Sequence, residues 1–354
     1  MSQPELLPAG RELTSWLCRR GRPDRAGRSI LWLYRWRSLG LEFGYSAMQR
    51  KSEASQQFPY PEGEGLVFIQ GFWRSGTTLL HELLAELPGC AAPRTWQCMN
   101  PSAVLAPSMR PRESQAVKRP MDEVMVSSFS PQEDEFALMV MGVPSVYRGF
   151  LDPRNLRELL RYTDQAYWMN EDPNWVKTLE AFLAWCQEPG RDRLIVKSPG
   201  HIFRTDSLAA HFPKARFVWI LRDPVQLWRS NLKMWGMMIE RYGLWQAKKG
   251  ELEDFIEAAL ESYAQLIEDL HGRGRFRDQP ACSYEALTSQ PAATLPELVD
   301  RLGLGPWSAL DANLQASLLS QPKPSAASSS IPADAPETVL FRIRAVHEAI
   351  LSAL

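Results

Sequence analysis

The feature that most constrains this chain is a short apolar run that ends at a glycine-bounded loop and reopens as a helix. Leu66-Val67-Phe68-Ile69 is partly β-branched, flanked by Gly65 and close to Gly71, and too short for a buried helix. It reads as a strand covered on both faces. Gly71-Phe72-Trp73-Arg74-Ser75-Gly76-Thr77-Thr78 follows, and a helical run continues from Thr78 to Leu87. The two glycines stand at the G-x-x-x-x-G spacing of a phosphate-binding loop. Glycines let backbone wrap an anion, and the free N–H groups and dipole of the following helix favour its charge. A tight strand-to-helix turn that binds nothing also uses glycines. The hydroxyls of Ser75, Thr77 and Thr78 in the same turn favour the phosphate-binding reading.

Two further apolar runs extend the pattern. Leu194-Ile195-Val196 is a second buried strand, Ile202 to Phe212 is helical, and Phe217-Val218-Trp219-Ile220-Leu221 is a third strand. Strand, helix, strand at this spacing is a βαβ unit and predicts a parallel sheet. The fold class expected is α/β, three layers with a central parallel sheet flanked by helices. A chain of 354 residues has room for it. Residues 1–60 read as a basic helical extension, and 61–354 as the α/β domain. The extension holds ten Lys/Arg against four acids up to Lys51, and Ile30 to Tyr45 adds Trp32, Tyr34, Trp36 and Phe43. The favoured reading packs these aromatics on the core and keeps the arginines wet. A weak contact with an anionic membrane surface is the alternative. Pro107 to Pro120 is a Pro-rich break, Gln321 to Pro336 a Pro/Ser/Ala-rich surface loop, and Glu337 opens a last helix.

Composition narrows the function classes. A net charge of −1 gives no footprint for nucleic acid. The five cysteines contain no C-x-x-C pair, so neither a zinc site nor a disulfide framework is signalled. That usage fits a reducing cytoplasm. No apolar run has membrane-spanning length, and no signal-peptide core stands at the N-terminus.

The loop departs informatively from nucleoside triphosphatases, which place lysine directly after the second glycine. Here that residue is Thr77, and the cation is Arg74. The third strand ends in Leu221-Arg222-Asp223-Pro224, with a cation where a metal-binding acid would be convenient. The pattern suits a short diphosphate-like anion bound without metal. Asp223-Pro224 starts a helix. This sets Arg222 at a strand's carboxyl end and Ser230 about two turns into the helix, where both can grip one phosphate. A P-loop kinase or nucleotidase with an atypical lysine, or a non-catalytic nucleotide binder, stays open beside an anion-transfer enzyme.

From these residues the chain resembles the PAPS-dependent sulfotransferases, bacterial type, of the P-loop superfamily; PAPS is 3′-phosphoadenosine 5′-phosphosulfate. Arg74-Ser75-Gly76-Thr77-Thr78 is similar to their 5′-phosphosulfate loop, (K/R)-S-G-T-(T/S), and Arg222 and Ser230, eight apart, to their 3′-phosphate pair. Leu194 to His201, followed by Phe212 to Phe217, resembles their K-S-P…F-P-x-A-x-F block. Ser283 to Leu287 resembles their Y-E-D-L block, with Ala286 in place of Asp. Pro120-Met121-Asp122 and Pro131 to Leu138 are similar to a bacterial subgroup. The resemblance implies PAPS as donor and 3′,5′-ADP (PAP) as product, with no metal. It assigns Arg74, Ser75, Gly76, Thr77, Thr78, Arg222 and Ser230 to the donor, with Tyr284 near the adenine. The acceptor it implies is a hydroxyl or amine on a small molecule, lipid or glycan. Arg74 is expected to stabilise the bridging oxygen, and Lys197 matches a catalytic lysine of some members. Some relatives carry a general base after the loop helix, but Ala92 to Cys98 has no acid or histidine. The candidates are therefore Glu133, Asp134, Glu135 and His201, with His81 on the loop helix facing the core. Ser130-Pro131-Gln132-Glu133 reads as a capping box that would occupy Glu133.

Overall fold

The structure is a computed structural model that describes residues 10–23, 27–36, 58–105, 110–112, 115–119, 125–320 and 335–353. Phe43, Pro120-Met121-Asp122 and residues 321–334 of the Pro/Ser/Ala-rich stretch lie outside the described residues. Strands β1 (Leu66–Gln70), β2 (Cys90–Ala91), β5 (Arg193–Lys197), β6 (Arg216–Leu221) and β7 (Ala281–Ser283) form one sheet in the order β2-β5-β1-β6-β7. Every pairing in it is parallel, with Phe68 of β1 opposite Val196 on one side and Phe217 on the other. A separate antiparallel pair joins β3 (Val117–Lys118) and β4 (Met125–Val126).

The continuous apolar runs follow from this topology, because a parallel sheet is covered on both faces. Alternate residues divide between two cores. Val67, Ile69, Ile195, Val218 and Ile220 face helices α3 (Thr77–Ala85), α10 (Tyr284–Ser289), α11 (Pro291–Arg301) and α12 (Ala312–Leu319). Leu66, Phe68, Leu194, Val196 and Phe217 face α4 (Thr95–Met99), α5 (Glu135–Val140), α6 (Trp175–Trp185) and α7 (Thr205–His211). Trp219 and Leu221 extend that face toward α8 (Pro224–Tyr242), α9 (Glu251–Gly272) and α13 (Glu337–Ser352). The expected three-layer α/β fold is present. The connection after β5 is not one helix: Pro199–Arg204 winds as a 3₁₀ turn before α7 begins. The fixed φ of Pro199 favours that tight start.

Residues 10–23 and 27–36 pack on the sheet-bearing part of the chain. Leu13 and Leu17 of α1 (Arg11–Arg19) are buried in the same cluster as Phe72 and Trp235, and so is Tyr34 of α2 (27–36). Arg20 pairs with Asp152 at 2.7 Å, and Glu12 with Arg148. The expectation that the aromatics of this segment all pack inward is corrected. Tyr34 does, whereas Trp32 and Trp36 are 58% and 61% exposed. A helix buries one stripe, and these two indoles lie on the other. Among the described residues no helix is long and apolar enough to cross a membrane.

Candidate active site

The loop after β1 is held by its flanks. Phe72 and Trp73 are buried and stack edge-on at 4.8 Å, and Asn231 of α8 donates to the Trp73 carbonyl at 2.8 Å. The Ser75 N–H closes a turn on the Phe72 carbonyl at 3.1 Å. Arg74, with φ 69°, and Gly76, with φ 102°, both sit in the left-handed region. Arg74 adopts it against the preference of a residue with a side chain, which costs on the order of 1–2 kcal/mol. Both glycines are required by crowding as well. A Cβ on Gly71 would meet Ser75 Oγ at 2.4 Å, and one on Gly76 would meet Tyr284 Cδ2 at 2.3 Å. Helix α3 starts at Thr77 with no side-chain cap. Its first turn of N–H groups therefore points into the loop. Ser75 Oγ is buried with no partner among the described residues. A buried hydroxyl left in that state suits an oxygen-rich ligand.

The carboxyl end of β6 meets this loop. Asp223 caps α8 by accepting from the Gln226 N–H at 3.0 Å, with Pro224 in the first turn, as its sequence foretells. Arg222 Nη1 donates to the Arg74 carbonyl at 2.6 Å, and Arg74 Nε donates to Ser230 Oγ at 3.0 Å. The Arg222 guanidinium lies 4.6 Å over the Tyr284 ring. Its Nε is buried with no partner among the described residues. Burial lowers the Arg222 pKa, and the nearby Arg74 charge adds to the effect. Two guanidinium groups held in one corner call for an anion. Arg74, Ser75, Gly76, Thr77, Arg222, Ser230 and Tyr284 are thus brought together, with Tyr284 packed under Arg222 and against Gly76.

On the other side of the loop, Thr78 leads to a second cluster. Lys197 Nζ, at the end of β5, lies 3.5 Å from Thr78 Oγ1 and 2.9 Å from Glu133 Oε1. Tyr147 donates its hydroxyl to Glu133 Oε2 at 2.7 Å. Burial, and then the Glu133 charge, push the Tyr147 hydroxyl well above its ordinary pKa, so it stays a donor. Lys197 is 1% exposed and Glu133 14%, so the carboxylate is the more open end of the pair.

Glu133 reaches this place because the expected capping box does not form. Helix α5 begins at Glu135, with Asp134 at its N-cap, and Ser130 Oγ accepts instead from the Ser127 N–H at 3.0 Å. The segment carrying Glu133 lies along Ala92 to Cys98. Gln132 N–H bonds to the Pro93 carbonyl, Thr95 N–H to Ser130 and Trp96 N–H to Ser128, at 2.9, 2.9 and 3.0 Å. The stretch that lacks an acid of its own is therefore paired with one that supplies it.

The other candidates are placed elsewhere. Glu135 forms a bidentate pair with Arg204 at 2.6 and 3.2 Å, and Arg204 is stacked on Trp168 and Trp175. Both charges are buried. His201 Nε2 lies 2.7 Å from Asp134 Oδ2, but the contact is not an aligned hydrogen bond, and both side chains are fully buried. Burial alone would raise the Asp134 carboxyl; His201 and Arg204 beside it hold it below its ordinary pKa. His81 lies 3.1 Å from the Ile195 carbonyl, and burial, with Lys197 nearby, pushes it down to about 3. Tyr147 and Asn231 carry no motif and were not legible as residues of this cluster. The one sequence signal is for Asn231, a polar residue at helical spacing between Leu227 and Met234 on the buried stripe of α8.

Comparison with known proteins shows the family and the fold. A model described as "Sulfotransferase family" matches residues 67–309. Omega-hydroxy-beta-dihydromenaquinone-9 sulfotransferase Stf3 of Mycobacterium tuberculosis is 33% identical over 248 residues, 68% of this chain and 63% of the relative. Its counterpart of the same name in Mycobacterium bovis matches to the same extent. The chain thus spans 63% of the length of these curated relatives. Among solved structures, sulfotransferase STF9 from Mycobacterium avium superposes with a TM-score of 0.60 at 14% identity, covering 100% of this chain and 98% of that one. Sulfotransferase STF1 from Mycobacterium tuberculosis gives 0.56 at 17% identity, with 86% and 81% covered. The matched span takes in the loop at Arg74, the Arg222–Ser230 corner and the Lys197–Glu133 pair, and the chain belongs to the sulfotransferase family.

Proposed function

We propose that this chain transfers a sulfuryl group from PAPS to a hydroxyl of a small-molecule or lipid acceptor, releasing PAP. The observation that carries the reading is the loop Arg74 to Thr78, flanked by Arg222 and Ser230 on one side and by Lys197 and Glu133 on the other. An oxygen-rich donor fits the residues present. Ser75 Oγ and Arg222 Nε are buried and lack partners among the described residues, and Gly76 keeps the turn clear of a side chain. Thr77 in place of lysine, and a cation at the end of β6, suit an anion gripped by arginines.

The donor supplies the sulfuryl group, whose sulfur–oxygen bond to the 5′-phosphate breaks as the acceptor oxygen bonds to sulfur. The α3 N-terminus, Ser75, Thr77 and Thr78 would hold the 5′ side, and Arg222 with Ser230 the 3′-phosphate. Arg74 would stabilise negative charge on the leaving oxygen, and Lys197 the charge on the transferred group. Glu133 takes the acceptor proton as general base, oriented by Tyr147 and Lys197. The mycobacterial relatives are named for a hydroxyl-bearing acceptor, omega-hydroxy-beta-dihydromenaquinone-9. We carry over the class and not the molecule. The cysteines are all free, which supports a reducing compartment, and we place the reaction in the cytoplasm.

Calorimetric titration tests the donor half. PAP should bind without Mg²⁺ and more tightly than ATP. Arg222→Ala should weaken PAP at least about tenfold, since a hydrogen bond to a charged group is worth about 1.5–3 kcal/mol. An unchanged affinity would remove the 3′-phosphate assignment, and Mg²⁺-dependent ATP turnover would point to a kinase.

A further inference from the structure

Helix α2 presents an unusual outer face. At about 100° per residue, Arg28, Ser29, Trp32, Arg35 and Trp36 fall within an arc of about 120°, and all five are exposed. Gly27 and Tyr34 are buried on the opposite side, with Ile30 and Leu31 partly buried against the core. Tyr34 is 1% exposed, so the helix cannot roll its indoles inward without pulling that ring out. Trp32 and Trp36 stand one turn apart with ring centroids at 5.5 Å, forming one apolar patch in water. Among the described residues of 10–36 the exposed charged side chains are arginines. Arg11, Arg19, Arg22, Arg28 and Arg35 are exposed, and Glu12 pairs with Arg148. Glu12 is the one acid among the described residues of 10–36.

We propose that this face docks on an anionic lipid surface, with the two indoles at headgroup depth and the arginines on headgroup phosphates. Indole is amphipathic and gathers at the membrane–water boundary, and arginine beside it adds attraction to anionic lipid. A second copy of the chain is the poorer occupant. A two-fold contact through this patch would set the arginine face of one copy against that of the other. Docking is independent of the proposed chemistry, because it is measured with neither donor nor acceptor present.

Co-sedimentation of the full chain with vesicles tests it, using phosphatidylcholine alone and phosphatidylcholine with about one-third phosphatidylglycerol. Binding is expected to the anionic vesicles and to weaken as salt is raised. Trp32→Ser with Trp36→Ser, and separately Arg28→Glu with Arg35→Glu, should each reduce it at least about tenfold. The Trp double variant should keep the wild-type thermal midpoint, since both indoles are exposed. Wild-type protein that ignores anionic vesicles overturns the proposal. So do folded variants that bind as wild type does, or a concentration-dependent dimer in ultracentrifugation that the Trp variant abolishes.

Discussion

At Gly76 the backbone has φ 102° and the Tyr284 ring stands where a side chain would go. Alanine there must accept a left-handed backbone, at about 1–2 kcal/mol, and displace a ring that also lies under Arg222. Gly76→Ala should lower the thermal midpoint and weaken PAP at least about tenfold; wild-type binding by calorimetry would mean that the turn tolerates Cβ. Glu133 and Glu135 separate two roles that sequence alone leaves tangled. Glu133→Gln keeps shape and removes the base, so kcat should fall by about 10²–10⁴ with PAP affinity kept. Glu135→Gln leaves Arg204 buried and half-paired, so stability should drop by about 3–5 kcal/mol, read by urea unfolding. The reverse pattern would exchange the two assignments. The loop Arg74 to Thr78 was legible because its residues are contiguous. The proposed base was legible only as one of several candidates, because Glu133 meets Lys197 across 64 residues and Tyr147 across 14, and its local sequence imitates a cap.

Among the elements, α13 has a role that its composition conceals. The sequence predicts a helix from Glu337, and one forms over Glu337–Ser352. What it holds was not readable. His347 is buried, shares a 2.8 Å bond with the Tyr263 hydroxyl of α9, and reaches the Arg222 backbone carbonyl. A neutral imidazole has one donor and one acceptor. The carbonyl needs the donor, which leaves the acceptor for the tyrosine O–H. Arg344 adds a 3.1 Å pair to Asp223, the α8 cap. The helix therefore braces the corner that carries Arg222. His347→Phe should raise the KM for donor several-fold with kcat little changed, and His347→Gln, which keeps a donor, should recover part of it. Equal KM in all three proteins would reduce α13 to packing. Strands and helices were legible wherever one period ran uninterrupted; α2 was misjudged because Tyr34 and its neighbouring indoles look alike in sequence yet point to opposite sides.

The sheet separates the molecule into two cores, and each buries a neutral histidine. His81 of α3 lies on the face lined by Ile195 and Val218, and His347 on the face lined by Trp219 and Leu221. Burial, reinforced for His81 by Lys197, lowers their pKa values to about 3 and about 4. In the unfolded chain both return to about 6.5. The folded values lie below the unfolded ones, so between them the unfolded chain binds protons that the native state refuses. Stability is therefore fully present above pH 6.5 and lost as pH falls toward 4. Each histidine contributes a slope approaching about 1.4 kcal/mol per pH unit well below 6.5, and the two together about 2.7. Asp134, held below its ordinary pKa, adds a further loss as pH falls through the carboxylate range. Urea midpoints at constant m-value, measured at pH 7.5, 6 and 5 (round settings of about these values), should fall with this slope. His81→Gln should remove about one proton's share of it and leave the rest, because His347 lies behind the sheet in the other core. A midpoint that stays flat from about pH 6.5 to 4.5 would mean that both imidazoles are reached by water before the protein unfolds, and that the two cores are less dry than their packing implies.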